Sequence, residues 1–262
     1  MAAVGERQIS YDARGLAEPN AEVPKVSEVD GAKAVFDARD LTTRQINLEL
    51  RSLLYEQGVT DVTVKNPGSK HSIGVGILTR CKITFEGSLG YFGCGLIDGP
   101  EIHITGRVGW SACENMMSGV VVIEGNAGSL TGAALRGGDL VVKGRVGARS
   151  GIDQKGGTII TLGSAGSMNG FMMQRGRQVI CGDVGPGLGD SMYDGIMYVG
   201  GKVKSLGIDC VEGEWTEADT EFIERKFRIY GLGSPPQFQK FVCGKKLYNY
   251  DNLEPSERKL VL

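Results

Sequence analysis

Residues 125–151 read GNAGSLTGAALRGGDLVVKGRVGARSG, and this stretch decides the fold. Gly125 and Gly144 stand nineteen positions apart, as do Gly128 and Gly147, and Gly132 and Gly151. Carried outward, the spacing holds without a slip through Gly87, Gly106, Gly125, Gly144, Gly163, Gly182 and Gly201. Parallel columns run through Gly90, Gly109, Gly128, Gly147, Gly166 and Gly185, through Gly132, Gly151, Gly170 and Gly189, and through Gly119, Gly138, Gly157, Gly176 and Gly195. Self-similarity at a fixed period of roughly 20 residues is the signature of a solenoid, in which each repeat is one turn resting on the last.

The residues between the glycines say what each turn is made of. ITFE (83–86), IHIT (102–105), VVIE (121–124), LVVK (140–143), IITL (159–162) and QVIC (178–181) precede successive first-column glycines. Each is short and β-branched, so each reads as a strand of about four residues. Stacked in register they make parallel ladders about 4.8 Å apart. Two residues past each first glycine stand Leu89, Val108, Ala127, Val146, Ala165, Val184 and Val203, all apolar. Ten residues past stand Ile97, Met116, Leu135, Gln154, Met173 and Met192. These are expected to point inward as packing rather than as a ligand box, with methionine filling irregular gaps. The glycines would serve corners that need φ > 0 or close approach of adjacent turns. Gly68 lies one period before Gly87 and suggests an imperfect turn ahead of the regular ones. No polar residue is expected to recur inside where chemistry could be built.

The flanks divide the chain further. Residues 1–31 are polar and aperiodic, an extended arm. Residues 32–67 form an α/β cap: a short strand from Lys33 to Arg39, then a helix opened by the capping-box pattern Thr42-x-x-Gln45 and closed near Gly58. Ile46, Leu50, Leu53 and Leu54 fall on one face, suited to covering the end of a solenoid in preference to docking elsewhere. Val59 to Lys65 reads as a strand. The repeat region runs over 68–210. In 211–262 a helix is expected over Trp215–Tyr230, with Thr216 as N-cap, Gly231 at its end, and Phe222, Ile223, Phe227 and Tyr230 on its apolar face. The aromatic tail FQKFVCGKKLYNYDNLEP (238–255) must pack on the solenoid or on a partner.

Composition excludes several classes. The formal net charge of −2 over 262 residues gives no electrostatic reason to expect nucleic acid or an anionic membrane as partner. No stretch approaches the ~20 apolar residues of a membrane span. The opening Met1-Ala-Ala-Val-Gly-Glu-Arg lacks an export signal, so a cytoplasmic location is expected. The six cysteines (81, 94, 113, 181, 210, 243) then read as reduced thiols, and none forms a CxxC pair that would suggest structural zinc.

Candidate chemistry is sparse. His103 lies in a strand among turn equivalents Val122, Val141 and Ile160, so a structural role is expected; His71 sits in a loop that could bind an anion. Cys94 and Cys113 should stack on adjacent turns within disulfide reach, although small residues at a tight corner explain them without redox chemistry. Arg107 with Arg145, and Arg136 with Lys155, read as solvated surface. Phosphate-cradling loops are missing, because the glycine pairs do not open helices. A carbohydrate-active β-helix would need clustered carboxylates, yet Asp139, Asp153, Asp183 and Asp190 fall on different columns. No catalytic, cofactor-binding or metal-binding residue is therefore assigned.

Units such as 125–151 and GDVGPGLGDSMYDGIMYVGG (182–201) resemble the GXGXG-motif domain. That domain is the C-terminal β-helix of the glutamate synthase large subunit and also the C subunit of formylmethanofuran dehydrogenase and the related formyltransferase/hydrolase complex. The lead-in 36–77 and the tail FQKFVCGKKLYNYD (238–251) resemble free-standing subunits of this kind, best defined in N-methylglutamate synthase. The resemblance implies an all-β fold: a right-handed parallel β-helix of about seven 19-residue turns with flanking N- and C-terminal helices. It implies a hetero-oligomer with an amidotransferase-like subunit and an FMN-binding synthase-like subunit. FMN and an iron–sulfur cluster would belong to the synthase partner, and no catalytic residue carries over to this chain. The alternative is a scaffold in a formyl-transferring complex.

Overall fold

The computed structural model describes residues 28–30 and 32–244. Of the arm expected over 1–31, residues 1–27 and 31 lie outside them, as does the tail beyond Gly244; the described part, Glu28–Asp30, is instead a strand paired with the next one. Twelve strands form one sheet, mostly parallel, that winds as a β-solenoid of about seven turns. In chain order the strands are β1 (Glu28–Asp30), β2 (Lys33–Asp37), β3 (Asp61–Lys65), β4 (Lys82–Glu86), β5 (Glu101–Ile104), β6 (Val120–Ile123), β7 (Asp139–Val142), β8 (Lys155–Thr161), β9 (Arg175–Ile180), β10 (Ile196–Val199), β11 (Cys210–Glu212) and β12 (Gln239–Cys243).

From β4 to β10 the register follows the glycine period, apart from a bulge at the start of β8, where Lys155 pairs with Arg175. Ile83, Ile102, Val121, Leu140, Ile159, Gln178 and Met197 are paired in succession, one full period apart each time. A second, thinner ladder runs through Val108, Ala127, Val146, Ala165, Val184 and Val203. Both columns point inward. The residues ten past each first glycine, Ile97 to Met192, are buried without exception.

The lead-in turn breaks the period. Asp61 of β3 pairs with Lys82 of β4, two positions further along than the period would place it. By the following corner the shift has fallen to one, and the position beneath Gly87 is Pro67, whose Cδ lies 2.9 Å from where a Gly87 Cβ would stand. The expected equivalence of Gly68 with Gly87 is thus corrected: the turn exists, but it is shifted by two residues in the strand and by one at the corner.

The glycines meet both demands expected of them, at different positions. Gly125 has ordinary φ, and its constraint is proximity: a Cβ there would meet the Gly106 carbonyl oxygen at 2.8 Å. Gly138 does need a left-handed conformation, at φ 78°. Many left-handed corners, however, carry side chains, among them Cys94 (55°), Leu96 (57°), Cys113 (58°), Leu130 (62°) and Asp153 (54°). Such a residue costs on the order of 1–3 kcal/mol, and it persists because the backbone hydrogen bonds of the turns above and below over-determine it.

Two helices flank the solenoid. Helix α1 (Thr43–Arg51) begins with the expected Thr42–Gln45 capping box and continues into one π-type turn (Ser52–Glu56) before Gly58. Ile46, Leu50, Leu53 and Leu54 enter the main core beside Phe36, Val62, Val64, Ile73 and Ile77. Asn47 Nδ2 donates to the Ser72 carbonyl, and its Oδ1 accepts from Gly74 N–H. The helix therefore satisfies both the apolar end and the open backbone edge of the first turn. Helix α2 (Glu217–Tyr230) starts at Thr216 with a capping box to Asp219 and ends at Gly231 in the left-handed conformation. The tail strand β12 inserts antiparallel between β10 and β11. That settles the destination of residues 239–243: they lie on the solenoid.

The core is not uniformly apolar, contrary to expectation. Thr131, Ser150 and Asn169 stack at one inward corner over three turns, and Gln154 and Gln178 join them, all buried. Gln178 Nε2 donates to Gln154 Oε1 and to the Ser150 carbonyl. These bonds consume most of the polar capacity and leave a structural vein rather than an accessible site.

Candidate interaction surface

The outward side of the main sheet is one continuous column: Val35, Thr63, Thr84, His103, Val122, Val141, Ile160, Val179 and Tyr198, each the register partner of the next. Its character changes along its length, apolar from Val122 onward and mixed before it. The apolar half is covered. Phe222, Ile223 and Phe227 of α2 pack on Val141, Ile160, Val179 and Tyr198. Burying each such side chain contributes about 1.5–3 kcal/mol, and the guanidinium of Arg177 lies 4.2 Å from the Phe222 ring centroid.

Two polar clusters fasten α2. Lys226 Nζ donates to both oxygens of Asp139, at 2.7 and 2.5 Å, and the Tyr230 hydroxyl donates to the same carboxylate. At the other end Asp219 accepts from Tyr198 Oη at 2.6 Å and from Lys240 Nζ at 2.8 Å, besides its capping bonds to Thr216. Burial by itself would raise the Asp219 carboxyl, but the donors Lys240, Tyr198 and Thr216 outweigh it and hold it well below the usual carboxylate range. Burial, reinforced by the hydrogen bonds to Asp219 and Asp139, pushes the Tyr198 and Tyr230 hydroxyls up. The side chains of Asp219 and Lys240 are 4% and 11% exposed, so this pair matters far more than the exposed Lys33–Asp61 and Lys82–Glu101 pairs at 3.9 Å.

The other half of the column is bare of any described segment. Over it lies a shallow groove of about 290 Å³, lined by Thr84, His103, Val122 and Glu124 among others. At the strand starts a second groove, about 650 Å³, runs past Lys33, Asp61, Arg80, Lys82 and Glu101. One carboxylate organises the first groove. Glu124 Oε1 lies 2.8 Å from both His103 Nε2 and Lys143 Nζ. The Lys143 hydrogen bond, helped by His103 against a partial burial penalty, lowers the Glu124 carboxyl. His103 is thus structurally engaged as expected, but on the outer face, where its side chain is 44% exposed.

The remaining sequence candidates do not converge. His71 stacks on Tyr91 at 4.6 Å, and its Nδ1 accepts from Tyr91 N–H, so the ring extends an aromatic stack that continues to Trp110. Cys94 and Cys113 do occupy one corner column on adjacent turns, and both are fully buried. Desolvation, with Cys113 nearby, pushes the Cys94 thiol up; desolvation raises Cys113 to about 12. Asp153 pairs with Lys155, while Asp183 and Asp190 accept backbone N–H groups of the next turn. Arg107, Arg136 and Arg145 are exposed. Among the described residues no group of three or more His, Cys, Asp or Glu could hold a metal ion, and no helix is long and apolar enough to cross a membrane.

Sequence reasoning missed the grooved half-face. Its signal was present in the outward column, where Thr63, Thr84 and His103 replace the later valines and isoleucines.

No protein-family model matches the chain. Protein GlxC of Rhizobium meliloti (strain 1021) is 38% identical over 66 residues, a stretch that covers 24% of this chain and 29% of GlxC. The chain therefore matches less than a third of that relative's length. Among solved structures, a chain of the formyltransferase/hydrolase complex FhcABCD from Methylorubrum extorquens, crystallised with methylofuran, superposes with a TM-score of 0.56. The superposition covers 79% of this chain and 87% of that one at 20% identity. At that identity the likeness establishes a shared β-solenoid fold.

Proposed function

We propose that this chain is a non-catalytic scaffold subunit of a glutamate synthase-type complex, holding an amidotransferase-like and an FMN-binding synthase-like chain in fixed relation. The observation that carries the reading is the division of the outer sheet face. One half is sealed by α2, and the other is a stiff, grooved platform with apolar, cationic and anionic groups. A solenoid whose parallel strands pair in succession from β4 to β10, with a single bulge between β8 and β9, keeps two partners at constant separation. Ammonia or methylamine released at one partner would then reach the other without loss. The product implied is glutamate or N-methylglutamate. The partial identity with GlxC and the family resemblance of the glycine ladder support this reading. FMN, and an iron–sulfur cluster where present, would reside in the synthase partner.

A second reading, a scaffold in a formyl-transferring complex, is supported by the fold likeness to a chain of FhcABCD. Capture of the tagged full-length chain from its native cell, with mass identification of companions, separates the two. An FMN-containing chain and an amidotransferase are expected; an amidohydrolase-like companion would favour the second reading, and a chain that elutes alone would overturn both. Lys82→Ala with Glu101→Ala, both exposed on the rim of the groove, should leave the melting temperature within about 2 °C, as exposed substitutions usually do, while weakening companion capture. Undiminished capture would move the docking surface elsewhere.

A further inference from the structure

Cys210 and Cys243 are register partners on the antiparallel strands β11 and β12. Gly213 N–H donates to the Lys240 carbonyl, and Gly244 N–H donates to that of Asp209. Hydrogen-bonded pairs therefore fall at 213/240, 211/242 and 209/244, which makes 210/243 a non-hydrogen-bonded pair. In such a pair the Cα atoms stand about 4.5 Å apart and the side chains lean together on one face, inside the roughly 4.4–6.8 Å range that a disulfide spans. Both side chains face the same interior: Cys210 is buried in the main core and Cys243 packs against it. Cys210 Sγ lies beside Gly189, and Cys243 Sγ lies 3.3 Å from the Met192 carbonyl on that same turn. No disulfide joins any of the six cysteines in this structure.

We propose that Cys210 and Cys243 form a reversible oxidation site that takes a low-molecular-weight disulfide as its co-substrate. Cys243, the less buried of the two, attacks the disulfide RSSR as thiolate. A mixed disulfide Cys243–S–S–R forms and one RS⁻ leaves with the proton that Cys243 lost. Cys210 then attacks the Cys243 sulfur as thiolate, closing the protein disulfide and expelling the second RS⁻, which takes up the Cys210 proton. Two protein thiols are oxidised and one RSSR is reduced to two RSH. The product closes the segment between β11 and β12, which contains all of α2, into a covalent loop. Oxidation would tie β12, and the segment that carries α2, to β11; reduction leaves them held by strand pairing, by packing of α2 and by the Asp139 and Asp219 clusters. The Cys94–Cys113 pair offers no such site, because both thiols are sealed in the core with 0% exposure.

The test is to equilibrate the native full-length chain in glutathione buffers of rising oxidised fraction, quench with an alkylating agent and map the peptides. The expected result is loss of two alkylatable thiols per chain, a crosslinked peptide pair joining Cys210 to Cys243, recovery of both thiols with dithiothreitol, and an upward shift of the denaturation midpoint in the oxidised form. Cys243→Ser should abolish the crosslink and the shift, and Cys210→Ala should leave only a glutathione adduct on Cys243. Retention of all six thiols, a stable adduct on Cys243 in the unaltered chain, or pairing of either residue with another cysteine would overturn the proposal. If Cys210→Ala does not fold, Cys243→Ser together with the peptide map still decides it.

Discussion

At the scale of single residues, the first-column glycines are required by distance. The backbone of the preceding turn occupies the place of a side chain. Gly125→Val would drive its Cβ against the Gly106 carbonyl and the Arg107 Cα, backbone atoms that cannot rotate away. Overpacking of this kind costs about 1–3 kcal/mol or more, so thermal denaturation should show a clear fall in midpoint. Asn169 makes the opposite prediction. Its Nδ2 donates to the Gly166 carbonyl at 2.6 Å, but its buried Oδ1 has no hydrogen-bond partner. An unmet buried acceptor costs about 1–3 kcal/mol. Leu188 occupies the same corner on the next turn, fully buried, and the Gly166 carbonyl keeps the Gly185 N–H if Asn169 is removed. Asn169→Leu should therefore leave urea stability within about 1 kcal/mol of wild type or raise it. A loss above about 2 kcal/mol would mean that Oδ1 is satisfied by an internal water.

At the scale of elements, α2 is held by packing and by two anchored carboxylates, and the second is the more informative. Asp219 is depressed in the folded state, so its contribution is complete above the unfolded carboxyl value of about 3.9. It is lost as pH falls below that value towards the folded one. Asp219→Asn leaves the Lys240 ammonium buried without its counter-charge, a change that costs about 3–5 kcal/mol in comparable pairs. Stability measured between pH 7 and pH 2 should be lower for the variant at neutral pH, and its gap to wild type should narrow steadily below about pH 4. Parallel curves would show that Asp219 acts only as a helix cap. Both helices were legible in the sequence because their signals are local: Thr42 with Gln45, Thr216 before an acidic first turn, Gly58 and Gly231 after the last. The face that α2 covers was not legible. Phe222 and Phe227 announce an apolar stripe but do not name Val141 and Tyr198 as its partners.

At the scale of the whole molecule, the solenoid must manage two ends. At the first, α1 supplies the missing hydrogen bonds and apolar cover, with β1 folding back antiparallel on β2. At the last, β12 takes the edge of β10. A chain ending at Gly233 would lose β12 and expose the edge of β10, which is an invitation to self-pairing. It should self-associate by light scattering at concentrations where the full chain does not; equal scattering would show that the β10 edge is protected by other means. The sequence alone determined the period, the inward columns and the solenoid, because in-register parallel stacking puts every turn in the same environment and repeats its demands along the chain. Tertiary structure alone decided the three departures from that period. Pro67 lies under Gly87, Gln178 bonds Gln154 off the period, and β12 inserts between β10 and β11. Each of these occurs once, and a contact made once between distant segments leaves no periodic trace in a single sequence.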